Sequence, residues 1–182
     1  FHYLPGGGYV SPGPGRNSFP ATICASVNDE IVHGIPSERR LAEGDIISVD
    51  AGAIYEGFHG DAAFTVAIGS VSADALRLIN VTEEALWTGI HEVRKGGHLG
   101  DIGAAVSDIG KSSGFGVVEE YVGHGIGRQM HEEPQVPNYG RRGQGLRLRT
   151  GMSLCIEPMF NLGSRHTMVD YYGWTVRTAD GS

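Results

Sequence analysis

Two apolar runs, each bounded by an aspartate, constrain this chain more than any other feature. Gly44–Asp50 (GDIISVD) reads as a buried strand ending in a carboxylate, and Asp61–Ile68 (DAAFTVAI) as its return. Glu56-Gly57 marks a turn between them, so the pair is expected to form a hairpin. A turn centred on Tyr55-Glu56 would set Asp50 opposite Asp61, and directly opposed side chains lie about 5 Å apart at Cβ. Aspartate is disfavoured in strands, and an unpaired buried carboxylate is expensive. Two held that close need a shared proton or a cation. Divalent ions about 3.5–4 Å apart, bridged by such carboxylates, meet that need. Ordinary turn aspartates are the bland alternative.

His124 tips the balance toward metal. It stands in Gly123-His124-Gly125-Ile126-Gly127, where flanking glycines let backbone pack closely while the ring projects. A phosphate loop is a poor reading, because the spacing is not G-x-G-x-x-G and no strand-to-helix context follows. Glu157 ends the run Met152–Ile156, and Pro158 biases its backbone to an extended form at a strand end. An oxygen and nitrogen donor set suits Mn, Fe, Co or Zn better than Ca or a thiolate-loving ion. His33, before Gly34-Ile35-Pro36, and His131, before Glu132-Glu133-Pro134, are further candidates. Neither belongs to an H-E-x-x-H helix; near such a centre each could donate to an oxyanion or carry a proton.

The remaining pattern predicts an α+β chain. Residues 1–20 are rich in Gly and Pro and read as an irregular loop; Ala21–Val27 reads as a strand and Asn28-Asp29-Glu30 as a turn. Ser72 looks like an N-cap for a helix carrying Leu76, Ile79, Leu86, Ile90 and Val93, stopped by Gly96-Gly97. His91 is expected on its solvated face. A second helix spans Leu99 to Ser112, with Leu99, Ile102, Val106 and Ile109 on one face and Gly114 as its stop. Strands are expected around Val117–Tyr121, Met152–Glu157 and Trp174–Thr178, giving sheet with two helices packed on it.

Composition narrows the function classes. The net charge is −7 over 182 residues, without a strong basic cluster, so double-stranded nucleic acid is an unsuited partner. The 29 glycines have no sustained three-residue period, which excludes a collagen-like chain. Cys24 and Cys155, far apart and inside apolar runs, give neither a structural zinc motif nor a disulfide framework, and read as small buried hydrophobes. No apolar stretch approaches a membrane span and no signal-peptide pattern opens the chain. A cytoplasmic monomer, with no membrane or nucleic-acid partner, is the expectation.

Four ordered segments, VNDEIVHGIP, GDIISVDAGAIYEGFHGD, GHGIGRQMHEEPQVPNYG and GMSLCIEPMFNLG, resemble type I methionine aminopeptidases. The resemblance covers Pro20 to about Thr178. It implies the pita-bread fold shared with prolidases, aminopeptidase P and creatinase: a pseudo-twofold antiparallel sheet with helices on its outer face. It implies two divalent ions (Co, Mn, Fe or Zn) on Asp50, Asp61, His124 and Glu157, with Glu157 relaying a proton and His33 and His131 assisting at the substrate. The reaction would remove Met from the N-terminus of nascent polypeptides; contact with the ribosome is left open. By position, Phe19, Cys24, Met130 and Trp174 would line the side-chain pocket. Met130 departs from the family, where an aromatic residue commonly precedes this histidine, and Arg16-Asn17 stands where another aromatic is often found.

The family also has a helical segment ahead of residue 1 and, after Thr178, a strand bearing a fifth, bridging glutamate. By this reading the chain is truncated at both ends, with residues 21–182 a single catalytic domain lacking its final strand, and is expected to be weakly active or inactive. A prolidase-like or aminopeptidase-P-like peptidase and a non-catalytic pita-bread binding module are the alternatives; the short motif spacings disfavour the first and the four ligands the second.

Overall fold

The computed structural model describes residues 19–182. The expected loop over residues 1–18, with Arg16-Asn17, lies outside them; Phe19 and Pro20 carry no regular structure. Ten strands and two helices follow: β1 (Cys24–Val27), β2 (Glu30–Val32), β3 (Ile46–Tyr55), β4 (Phe58–Ala67), α1 (Ala73–His91), α2 (Leu99–Ser112), β5 (Gly116–Val117), β6 (Gly123–Gly125), β7 (Glu132–Val136), β8 (Phe160–Asn161), β9 (Thr167–Val169) and β10 (Val176–Thr178). All pairings are antiparallel, in four groups: β1-β3-β4, β2-β10-β9, β5-β8 and β6-β7.

The long hairpin β3–β4 turns at Glu56-Gly57, where Glu56 and Gly57 both have positive φ. Its register pairs Asp50 with Ala63 and Gly52 with Asp61. The two aspartates are therefore not opposed, as a turn one residue earlier would have made them. They are diagonal neighbours on one face, whose Cα atoms lie about 7–8 Å apart in such a ladder. β1 adds on the far side of β3 and sets Cys24 opposite Asp50.

Ser72 caps α1, its hydroxyl accepting from the Ala75 amide. The helix ends at His91, which is exposed, rather than at Gly96-Gly97, because the Glu92 and Val93 amides tighten onto Gly89 and Ile90 carbonyls. Its buried face also differs from the expected stripe: Leu76, Ile90 and Val93 are exposed, whereas Ala85 and Gly89 are buried against α2. A side chain at Gly89 would meet Val106 Cγ2 at 3.0 Å. Small residues set this helix contact, so the large ones are not its marker. α2 buries Leu99, Ile102 and Val106 as expected, and Gly114, at φ +78°, follows its end.

Two apolar clusters form the core. One joins Ala85, Val106, Phe115, Val117 and Phe160; the other joins Leu99, Ile102, Val136 and Leu148, and Ile156 packs against both. The strands expected around 117–121 and 174–178 are shorter, starting at Gly116 and Val176. Residues 152–157 form no strand; among the described residues they make a single bridge, Gly125 to Leu154.

Candidate metal centre

Asp61 reaches the centre from β4, His124 from β6 and Glu157 from the segment just before Pro158. β6 is wedged between two backbones: a side chain at Gly123 would strike the Cys155 carbonyl, and one at Gly125 the Glu133 carbonyl. The glycines flanking His124 are thus required by close backbone approach, and the imidazole is the one side chain β6 projects. Glu157 is held by its own backbone, whose carbonyl accepts from buried Asn138 Nδ2 at 2.8 Å.

His124 Nδ1 pairs with the Gly125 carbonyl at 2.8 Å. This requires Nδ1–H and leaves Nε2 to face the site, as metal-ligating histidines are oriented. Nε2 lies 3.4 Å from Asp61 Oδ2 and 3.2 Å from Glu157 Oε1, with the Asp61 and His124 side chains 8% and 9% exposed. Glu157 Oε1 is buried and outside hydrogen-bonding geometry despite that short separation. Burial alone would push the imidazole toward neutrality, but Asp61 and Glu157 outweigh it and raise its pKa to about 10. Donors bound to one ion at about 2.0–2.2 Å stand about 3–3.5 Å apart, so this spacing fits a divalent cation.

One residue of the group was not singled out by sequence. Cys155 Sγ joins Asp61, His124 and Glu157, and donor atoms of all four lie within 4.8 Å of one another. A thiol in an apolar run satisfies the hydrophobic pattern and so draws no attention. The available signal was the alternation in 154–157, where Leu154 and Ile156 pack inward and Cys155 and Glu157 are the positions between. Burial first, then Asp61, Glu157 and Asp50, push the Cys155 thiol up to about 12. Asp50 lies outside the four-residue group, but its charge also bears on buried Cys24, whose thiol burial and Asp50 raise to about 12.

The candidate assisting histidines flank this centre. The His131 ring is 4.3 Å from the His124 ring, and burial together with His124 lowers its pKa. His33 sits in the left-handed region at φ +59°, a conformation that costs a non-glycine residue about 1–2 kcal/mol. Thr175 Oγ1 donates to its carbonyl, and burial followed by His131 lowers its pKa, so both rings are held toward the neutral form. The Trp174 ring packs edge-on to His33 at 6.4 Å and to Phe19 at 5.3 Å. Tyr121, also missed by sequence, packs edge-on to His33 at 6.1 Å. Met130 is buried, with its methyl where a side chain at Gly52 would stand, beside Asp61.

The family model of "Metallopeptidase family M24" matches residues 7–180. The methionine aminopeptidase of Clostridium acetobutylicum is 52% identical over 169 residues, 92% of this chain and 68% of that protein. Methionine aminopeptidase 1 of Bacillus subtilis is 49% identical over 167 residues, 92% of this chain and 67% of that protein. The crystal structure of methionine aminopeptidase from Thermotoga maritima superposes with a TM-score of 0.89 at 46% identity, covering 91% of this chain and 67% of that one. The chain therefore spans about two thirds of the length of the relatives it matches. Among the described residues no helix is long and apolar enough to cross a membrane.

Proposed function

Since the chain belongs to metallopeptidase family M24 and has its pita-bread α+β fold, we propose that it is a methionine aminopeptidase, a hydrolase that removes N-terminal Met from peptides and nascent chains. The observation that carries this reading is the convergence of Asp61, His124 and Glu157 on one point, beside two neutral histidines and an aromatic wall. Asp50, Asp61, His124 and Glu157 are the ligands, and two ions drawn from Mn, Fe, Co and Zn suit them. Bound there, such ions supply Lewis acidity, acidifying water and polarising a carbonyl.

The chain's own groups do the rest. Glu157 accepts the proton of the attacking water and returns it to the departing amine. His131 and His33 donate to the substrate carbonyl and to the charge that develops on its oxygen. The Met side chain lies among Phe19, Cys24, Met130 and Trp174, where a thioether and aromatic faces meet it favourably. We further propose that the protein works as a monomer in the cytoplasm.

Incubation of the full chain with Met-Ala-Ser and each divalent ion should release free Met, even if slowly, and an Xaa-Pro peptide should stay intact. Xaa-Pro cleavage without Met release would favour a prolidase-like activity. Ion binding without any hydrolysis would favour a binding module.

A further inference from the structure

Cys155 is the feature of the centre that the proposed reaction leaves unused. Its Sγ shares one small space with an imidazole nitrogen and two carboxylates, all within 4.8 Å. The placement is built into the fold. Leu154 and Ile156 are anchored in the core, so the intervening Cys155 and the following Glu157 turn the other way. The Cys155 amide donates to the His124 carbonyl at 2.7 Å, and its own carbonyl fills the space above Gly123. The backbone at Cys155 is therefore fixed against β6, and Sγ can move relative to the centre only by rotation about χ1.

We propose that Cys155 is a sulfur ligand to the ion held by Asp61, His124 and Glu157, and that it biases this centre toward thiophilic metals. The inference rests on the metal-centre reading above. One nitrogen, two carboxylate oxygens and one sulfur make a four-coordinate set, with bonds of about 2.0–2.2 Å to N and O and about 2.3 Å to S. On binding, the S–H bond breaks, its proton passes to solvent, and the thiolate lone pair forms the metal–sulfur bond; no electron is transferred. Soft donors favour Zn, Co and Cd over Mn and Mg, so Cys155 becomes a determinant of which ion the centre retains.

The test is spectroscopic and independent of turnover. The full chain is loaded with Co(II) under argon; visible ligand-field bands report a bound ion, and a near-ultraviolet sulfur-to-cobalt charge-transfer band reports sulfur ligation. Wild type is expected to show both, Cys155→Ser the visible bands only, and Cys24→Ser both. Visible bands without the charge-transfer band in wild type would overturn the proposal, as would a charge-transfer band surviving Cys155→Ser. Absence of both in wild type would overturn the metal centre itself, and this proposal with it. In parallel, the ratio of Cd(II) to Mn(II) affinity should fall about tenfold or more in Cys155→Ser; an unchanged ratio would count against sulfur ligation.

Discussion

His124 is drawn between two carboxylates on one nitrogen and a carbonyl on the other, so below about pH 10 it carries a proton that an incoming ion must expel. Its pKa is raised, which means protons compete with metal throughout the neutral range and the competition fades only as pH climbs toward that value. Metal affinity measured by titration calorimetry should rise with pH, approaching about tenfold per unit for one displaced proton. A flat profile between about pH 6.5 and 9 would mean that no proton is displaced from His124 in that range. His131 is different in kind: its ring packs edge-on to His124 and is held toward the neutral form. Its replacement should spare metal binding and act on turnover. His131→Ala is expected to lower kcat by about 100-fold or more, the range of a positioned proton-handling group, with the bound metal content unchanged.

At the level of elements, β6 is the critical piece, because it is pressed between the 152–157 segment and β7 with no room for a β-carbon at Gly123 or Gly125. Gly125→Ala must move backbone, and overpacking of this kind costs about 1–3 kcal/mol. Urea denaturation should show that loss together with weakened metal binding. Gly52→Ala meets only the flexible end of Met130. It should leave the denaturation midpoint nearly unchanged while raising KM, since on the proposed reading Met130 would be pushed into the substrate's space. The same elements show what a sequence can and cannot reveal. Asp61, His124 and Glu157 were legible because each breaks an apolar or glycine pattern. α2 was legible from Leu99 through Gly114 because its large residues are its buried ones. α1 was misread on its face because Ala85 and Gly89 make the contact, and small side chains carry little hydrophobic signal. The Asp50–Asp61 register was misplaced by two because one residue of turn position shifts the whole ladder.

On the scale of the whole molecule, the candidate site draws on both halves of the chain, and Arg177 clasps the sheet behind its His33–Trp174 wall. Its guanidinium contacts Asp29 at 2.9 Å, Glu30 at 2.7 Å and Asp170 at 3.1 Å, joining β10 to β2 and to the end of β9. That sheet sets Trp174 beside His33, and Thr175 ties the His33 carbonyl to the same segment. Asp61, His124 and Glu157 belong to other elements and do not touch this network. Arg177→Met strips the cation from three carboxylates and leaves them to repel one another. A destabilisation of about 1–3 kcal/mol is expected, seen as a lower Tm. On the reading proposed above, the damage falls on the substrate-facing wall and not on the ligands, so KM for a Met-initiated peptide should rise while Co(II) affinity stays within about twofold of wild type. A parallel loss of metal affinity would mean that the sheet and the metal centre are one cooperative unit, and that the pocket cannot be loosened without opening the site.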